Sequence, residues 1–123
     1  MDLGLQGQRV IQENIDFAVS LHTDAGCEIS IETDFSLHTP GGDFSFSPES
    51  GIDQEKYRPL LDKTISSSTA KESGVLDLGF TDGATLRVKP NETYEAWTVA
   101  GPHVRKVVCM PRGELAIWSD RSP

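Results

Sequence analysis

Residues 17–32 read FAVSLHTDAGCEISIE, and residues 74–89 read GVLDLGFTDGATLRVK. Aligned without gaps, Val19 falls on Leu76, Leu21 on Leu78, Gly26 on Gly83, Ile29 on Leu86 and Ile31 on Val88. Each copy alternates apolar and polar residues, reaches a turn ending in glycine, then alternates again. That pattern belongs to a half-buried β-hairpin. A three-residue loop, Asp24-Ala25-Gly26, sets Leu21 opposite Ile29 and Val19 opposite Ile31. A two-residue loop would set Leu21 against Glu28 and mix charge into the apolar face. In the second copy, Thr81-Asp82-Gly83 pairs Leu78 with Leu86, Leu76 with Val88 and Asp77 with Arg87. The last loop position needs a left-handed backbone, which glycine tolerates best. Pro111-Arg112-Gly113 repeats the arrangement, pairing Cys109 with Leu115 and Val107 with Ile117.

Working outward, the C-terminal third reads as a meander. Strands are expected over Glu92–Ala100, Val104–Met110 and Glu114–Ser119, with a turn at Gly101-Pro102-His103. Trp97, Val107, Cys109, Leu115 and Ile117 share one face and form the expected core. Residues 34–47 (DFSLHTPGGDFSFS) read as a hairpin around Pro40-Gly41-Gly42. One helical turn is expected from about Asp53 to Arg58. Pro59 opens a second turn, and Tyr57, Leu60 and Leu61 face inward. Residues 66–69 fit loop or polar strand equally. The fold class is therefore mainly β: antiparallel sheets built from two related hairpin units, as a sandwich or open barrel, with one short helix. An α+β arrangement is the alternative.

The chain has 123 residues, the size of one domain. Its apolar fraction of 37 % suits a globular chain rather than a disordered one. No apolar run approaches the roughly 20 residues of a membrane span. The N-terminus lacks the basic start and apolar stretch of a secretion signal, so a cytoplasmic location is expected. Cys27 and Cys109 both lie in apolar strand patterns and read as buried, reduced thiols. A disulfide between them would suit an exported protein.

Charge is unevenly spread. Residues 1–55 hold eleven carboxylates against the single base Arg9, a net −10, while residues 56–123 hold ten bases against eight acids. Such a surface repels phosphate backbones and argues against nucleic-acid binding. It suits a basic protein partner, whose approach it would accelerate. Asp16, Glu28, Glu32 and Asp34 are the candidate partner-binding residues.

Chemistry is sparse. His22, His38 and His103 are the histidines, and the hairpin register sets His22 across from Glu28. That pair could orient an imidazole as a base, but an exposed cross-strand pair is the plainer reading. Phosphate-loop, dinucleotide, nucleophile-elbow, calcium-loop and zinc patterns are absent. No catalytic residue, metal site or cofactor is therefore expected. Trp97 with Glu95, and Trp118 with Met110, are the candidate pocket or patch. Lys106 and Glu114 share the Trp118 face, and a buried Glu95 would need Arg105 or Arg112 as partner.

The stretch YEAWTVAGPHVRKVVCMPRGELAIW, Tyr94 to Trp118, resembles a family of uncharacterised actinobacterial proteins. Their C-terminal ends read YEAW, then GP, VVC, GELA and W. Phe80–Gly83 and Leu86–Val88 fit the same pattern, so the likeness covers mainly the second half. It implies a domain of unknown function and carries no catalytic residue, cofactor or activity with it. Two readings stand. The first is a non-catalytic binding protein, in concrete form an immunity-type protein that neutralises a basic toxin. The second is a small-molecule binder or enzyme with a pocket between the two β-units near Trp97.

Overall fold

A computed structural model describes residues 1–15, 18–47 and 60–118, with the Ile15 side chain excepted. Its strands are β1 (Val10–Ile15), β2 (Val19–Thr23), β3 (Glu28–Ile31), β4 (Phe35–Thr39), β5 (Gly42–Phe46) and β6 (Ile65–Ala70). They continue as β7 (Leu76–Phe80), β8 (Thr85–Val88), β9 (Trp97–Ala100), β10 (Lys106–Cys109) and β11 (Leu115–Trp118). All pairings are antiparallel. Two sheets result, one ordered β1-β2-β3-β9-β10-β11 and the other β5-β4-β8-β7-β6. Their inner faces meet in one hydrophobic cluster, which makes a sandwich rather than a closed barrel.

The two related hairpins occupy different sheets. Hairpin β2–β3 is central to the six-stranded sheet, and β7–β8 belongs to the five-stranded one. Both have the expected register, with Leu21 facing Ile29, Val19 facing Ile31, Leu78 facing Leu86 and Leu76 facing Val88. All eight of those side chains are buried. Gly26 and Gly83 close their loops at φ of 84° and 91°. The third hairpin keeps its register but turns differently. Arg112 joins Gly113 at positive φ (71°), as the third position of a type II turn requires, and its N–H reaches Asn91 O.

β1 and β6 are the strands that local pattern does not announce. VIQENI breaks its alternation at a bulge between Val10 and Gln12, and ISSSTA is mostly polar. Residues 1–9 settle both. Leu3 N–H reaches Ser68 O, Gly7 N–H reaches Ile65 O, and Ile65 N–H reaches Gln8 O. The leading segment thus covers the edge of β6 and then enters the other sheet as β1. Glu13, placed inward by the bulge, is buried and accepts the Leu60 N–H at 3.0 Å.

Some expectations shift. The Glu92–Ala100 strand begins only at Trp97. Before it, Asn91 Oδ1 accepts the N–H groups of Thr93 and Tyr94 and coils the chain. Ile117 is 47 % exposed because β11 is an edge strand, although it pairs with Val107 as expected. Leu60 is buried, but Leu61 is exposed. The expected helical turn over Asp53–Arg58, with Tyr57 and Pro59, lies outside the described residues.

Two turns of opposite sheets also meet closely. Gly74, in the β6–β7 turn, packs directly on Gly113 in the β10–β11 turn. A Cβ on Gly74 would stand 2.5 Å from Gly113 Cα, and one on Gly113 would stand 2.2 Å from Ser73 O. Gly74 O accepts the Trp97 indole N–H at 2.9 Å and the Cys109 thiol at 3.3 Å. The indole of a fully buried tryptophan is thereby satisfied across the sandwich.

Candidate functional site

Antiparallel strands send alternate side chains to opposite faces, so each sheet has one solvent face. On the six-stranded sheet, His22, Glu28 and Ala100 lie in register across β2, β3 and β9. Glu28 accepts the Ser30 hydroxyl at 2.9 Å and lies 3.7 Å from His22 Nδ1. Further along the same face, Lys106 Nζ stands 5.3 Å from the centroid of Trp118, which is 49 % exposed. Lys106 and Trp118 are cross-strand partners, so the contact is a cation–π pair at a sheet edge.

The carboxylates divide by how they are neutralised. Asp77 is held by Arg87 through Nε and Nη2, at 2.8 and 3.2 Å, and by Lys71 at 3.2 Å. Burial would raise its pKa, but the hydrogen bonds and charges of Arg87 and Lys71 outweigh that and hold it below 3.8. Asp82 is lowered as well, chiefly by Lys63 and then by the Ala84 N–H. In return, Asp77 raises the Arg87 pKa. In the first half, the exposed carboxylates Asp2, Asp24, Glu28, Glu32, Asp34 and Asp43 have no Lys or Arg within 4 Å among the described residues. Arg9, the one base of residues 1–55, is taken by Asp62 from the second half at 3.2 Å.

Of the candidate partner residues, Glu28 lies on the solvent face of the six-stranded sheet. Glu32 and Asp34 follow in the exposed crossover that carries the chain to the other sheet. Asp16 lies outside the described residues. Asp43 sits on the opposite side of the sandwich, beside His38, so the acids of the first half do not all share one surface.

Trp97 is wholly buried and bound to Gly74 O, so it fills the core and offers a ligand no surface. Glu95 is half-buried, and no ion pair joins it to Arg105 or Arg112 among the described residues. Met110 is half-buried beside the β10–β11 turn. Cys27 and Cys109 are free and buried, and burial raises the Cys109 pKa above 9.0, away from nucleophilic use. No three His, Cys, Asp or Glu side chains among the described residues are grouped as metal ligands. None of the described helices is long and apolar enough to cross a membrane.

A groove of about 540 Å³ on the solvent face of the five-stranded sheet is the feature that sequence reasoning missed. Asp77 and Arg87 were legible as cross-strand partners. His38 and Asp43 were not, because the expected turn at Pro40-Gly41-Gly42 would set Thr39 opposite Asp43, whereas the chain turns at Pro40-Gly41 and sets His38 there. What no local pattern carries is the β4–β8 pairing that brings these two pairs onto one face.

The fold defines a two-sheet antiparallel β-sandwich with both cysteines buried. The chain belongs to the Family of unknown function (DUF6188), whose model matches residues 1–119. No curated protein and no solved structure matches it significantly.

Proposed function

We propose that this protein is a non-catalytic binding protein that offers the carboxylates around β3 and the β3–β4 crossover to a basic protein partner. The carrying observation is the absence of any Lys or Arg beside the exposed carboxylates of the first half, among the described residues. The second half neutralises Asp77 and Asp82 internally, whereas Glu28 has a histidine beside it and Glu32 has no Lys or Arg within 4 Å among the described residues. An unneutralised acidic surface speeds encounter with a basic partner and selects against acidic ones. A toxin-neutralising immunity role is the concrete form of this reading, and cytoplasmic residence would accompany it.

The test captures basic proteins by pull-down at low salt and purifies the bound partner. Binding is measured at about 50 and 300 mM salt, conditions that separate screened from unscreened charge. Glu28→Lys with Glu32→Lys is expected to weaken binding at least about tenfold, which is 1.4 kcal/mol. Tight binding that ignores both salt and this double reversal would remove the reading.

A further inference from the structure

We propose that the solvent face of the five-stranded sheet is a second site, built to bind a neutral saccharide. The groove runs across all five strands, and register fixes what lines it. One row carries Ser45, Ser36, Arg87 and Asp77 across β5, β4, β8 and β7. The neighbouring row carries Asp43, His38, Thr85, Gly79 and Ser67, and ends on β6.

Gly79 lets the β6 hydroxyls lie close over its strand, because it is the one position in its row without a side chain. A Cβ there would stand 2.5 Å from Ser67 Oγ and 3.2 Å from Ser66 Oγ. The bulge in β6 next to Ser67 brings these two serines toward it.

Charge decides the ligand class. Asp77 is matched in place by Arg87 and Lys71, and Asp43 lies beside His38. A free anion would meet two carboxylates, and a cationic peptide would meet Arg87 and Lys71. A neutral ligand meets neither penalty. Arg87 spends two of its five N–H donors on Asp77 and is half exposed. Carboxylate oxygens accept, guanidinium N–H groups donate, and serine and threonine hydroxyls do both. A sugar's hydroxyls also do both, so every group on the face finds a partner. The groove's volume lies within the range of small-molecule sites.

The experiment screens the full chain against an array of neutral and sulfated oligosaccharides, then titrates any hit by amide NMR. At least one neutral oligosaccharide is expected to bind saturably, shifting the amides of Ser36, Gly79, Thr85 and Arg87. Affinity is expected to change less than about twofold between 50 and 300 mM salt, because no net charge is neutralised. Gly79→Val displaces the Ser67 and Ser66 hydroxyls and Arg87→Ala removes the free donors; each should weaken binding about tenfold or more. Arg87 is exposed, so its variant keeps the fold if Gly79→Val does not. Glu28→Lys with Glu32→Lys, on the other sheet, should leave saccharide binding intact, which separates this site from the acidic surface. Three results overturn the assignment: no neutral hit, binding of sulfated glycans only with steep salt dependence, or neutral binding that both groove variants leave unchanged.

Discussion

Replacing Gly74 by alanine tests one close contact between the two sheets. Its φ is 94°, where a Cβ costs about 1–2 kcal/mol. The new methyl would also stand 2.5 Å from Gly113 Cα and 2.6 Å from Gly113 O, both backbone atoms that cannot rotate away. Relieving such overpacking costs about 1–3 kcal/mol. Moving the turn takes Gly74 O away from the buried Trp97 indole, and an unsatisfied buried donor costs about 1–3 kcal/mol. Partial relaxation keeps these from adding fully, so about 3–5 kcal/mol is expected, a large share of a typical domain's 5–15 kcal/mol. Gly7→Ala is the matched control, because its φ is 89° and nothing lies within 4 Å of its Cβ position. That variant should lose only the backbone cost, about 1–2 kcal/mol. Urea unfolding followed by tryptophan fluorescence and far-ultraviolet dichroism reads the difference. With a slope of about 1–3 kcal/mol per molar urea and a central difference of about 2.5 kcal/mol, the two midpoints should differ by about 0.8 M or more. Midpoints that agree within about 0.3 M would show that positive φ alone sets the cost and that the close approach does not matter.

Asp77 and Asp82 have folded pKa values below 3.8, so the folded chain binds fewer protons there than the unfolded one. Their stabilisation is present above about pH 4 and is lost as pH falls through the lowered values. Asp77→Asn with Asp82→Asn should therefore flatten the fall in melting temperature below pH 4, an effect that salt reduces; equal slopes in both proteins would contradict it. Cys109 behaves oppositely, since its pKa is raised above 9.0 by burial. The stabilisation from its neutral thiol holds below about pH 9 and fades as pH rises and the unfolded thiol ionises first. At neutral pH neither Cys27 nor Cys109 should react with a thiol reagent faster than the chain unfolds. Rapid reaction of the native protein would place a thiol at the surface.

Local signals carried the hairpins. Alternation at Val19, Leu21, Ile29 and Ile31, and again at Leu76, Leu78, Leu86 and Val88, reports which face is buried. The glycine ending each loop reports the register. Both depend on residues a few positions apart, so composition and order suffice. The division of charge into an acidic first half was also legible, and so was the Asp77–Arg87 pair.

Burial assignments failed where position in the sheet mattered. Ile117 has the right alternation and the right partner in Val107, yet an edge strand has a neighbour on one side only. Glu95 and Trp97 read as one site, but the chain coils before Trp97 and draws only the indole into the core. The binding of residues 1–9 to β6 spans roughly 55 to 70 positions, and no local pattern encodes it.

The amino-acid sequence by itself therefore determined the β-hairpins, their registers, the buried thiols and the charge asymmetry, because alternation and turn chemistry act over a few residues. Tertiary structure alone decided that the two hairpins lie in opposite sheets, that Gly74 and Gly113 touch, and that His38, Asp43, Asp77 and Arg87 share one groove. Those arrangements come from strand pairings such as β3–β9 and β4–β8, where residues roughly 50 to 70 positions apart meet. Such contacts form to bury both sheets' apolar faces at once, which is a property of the whole chain.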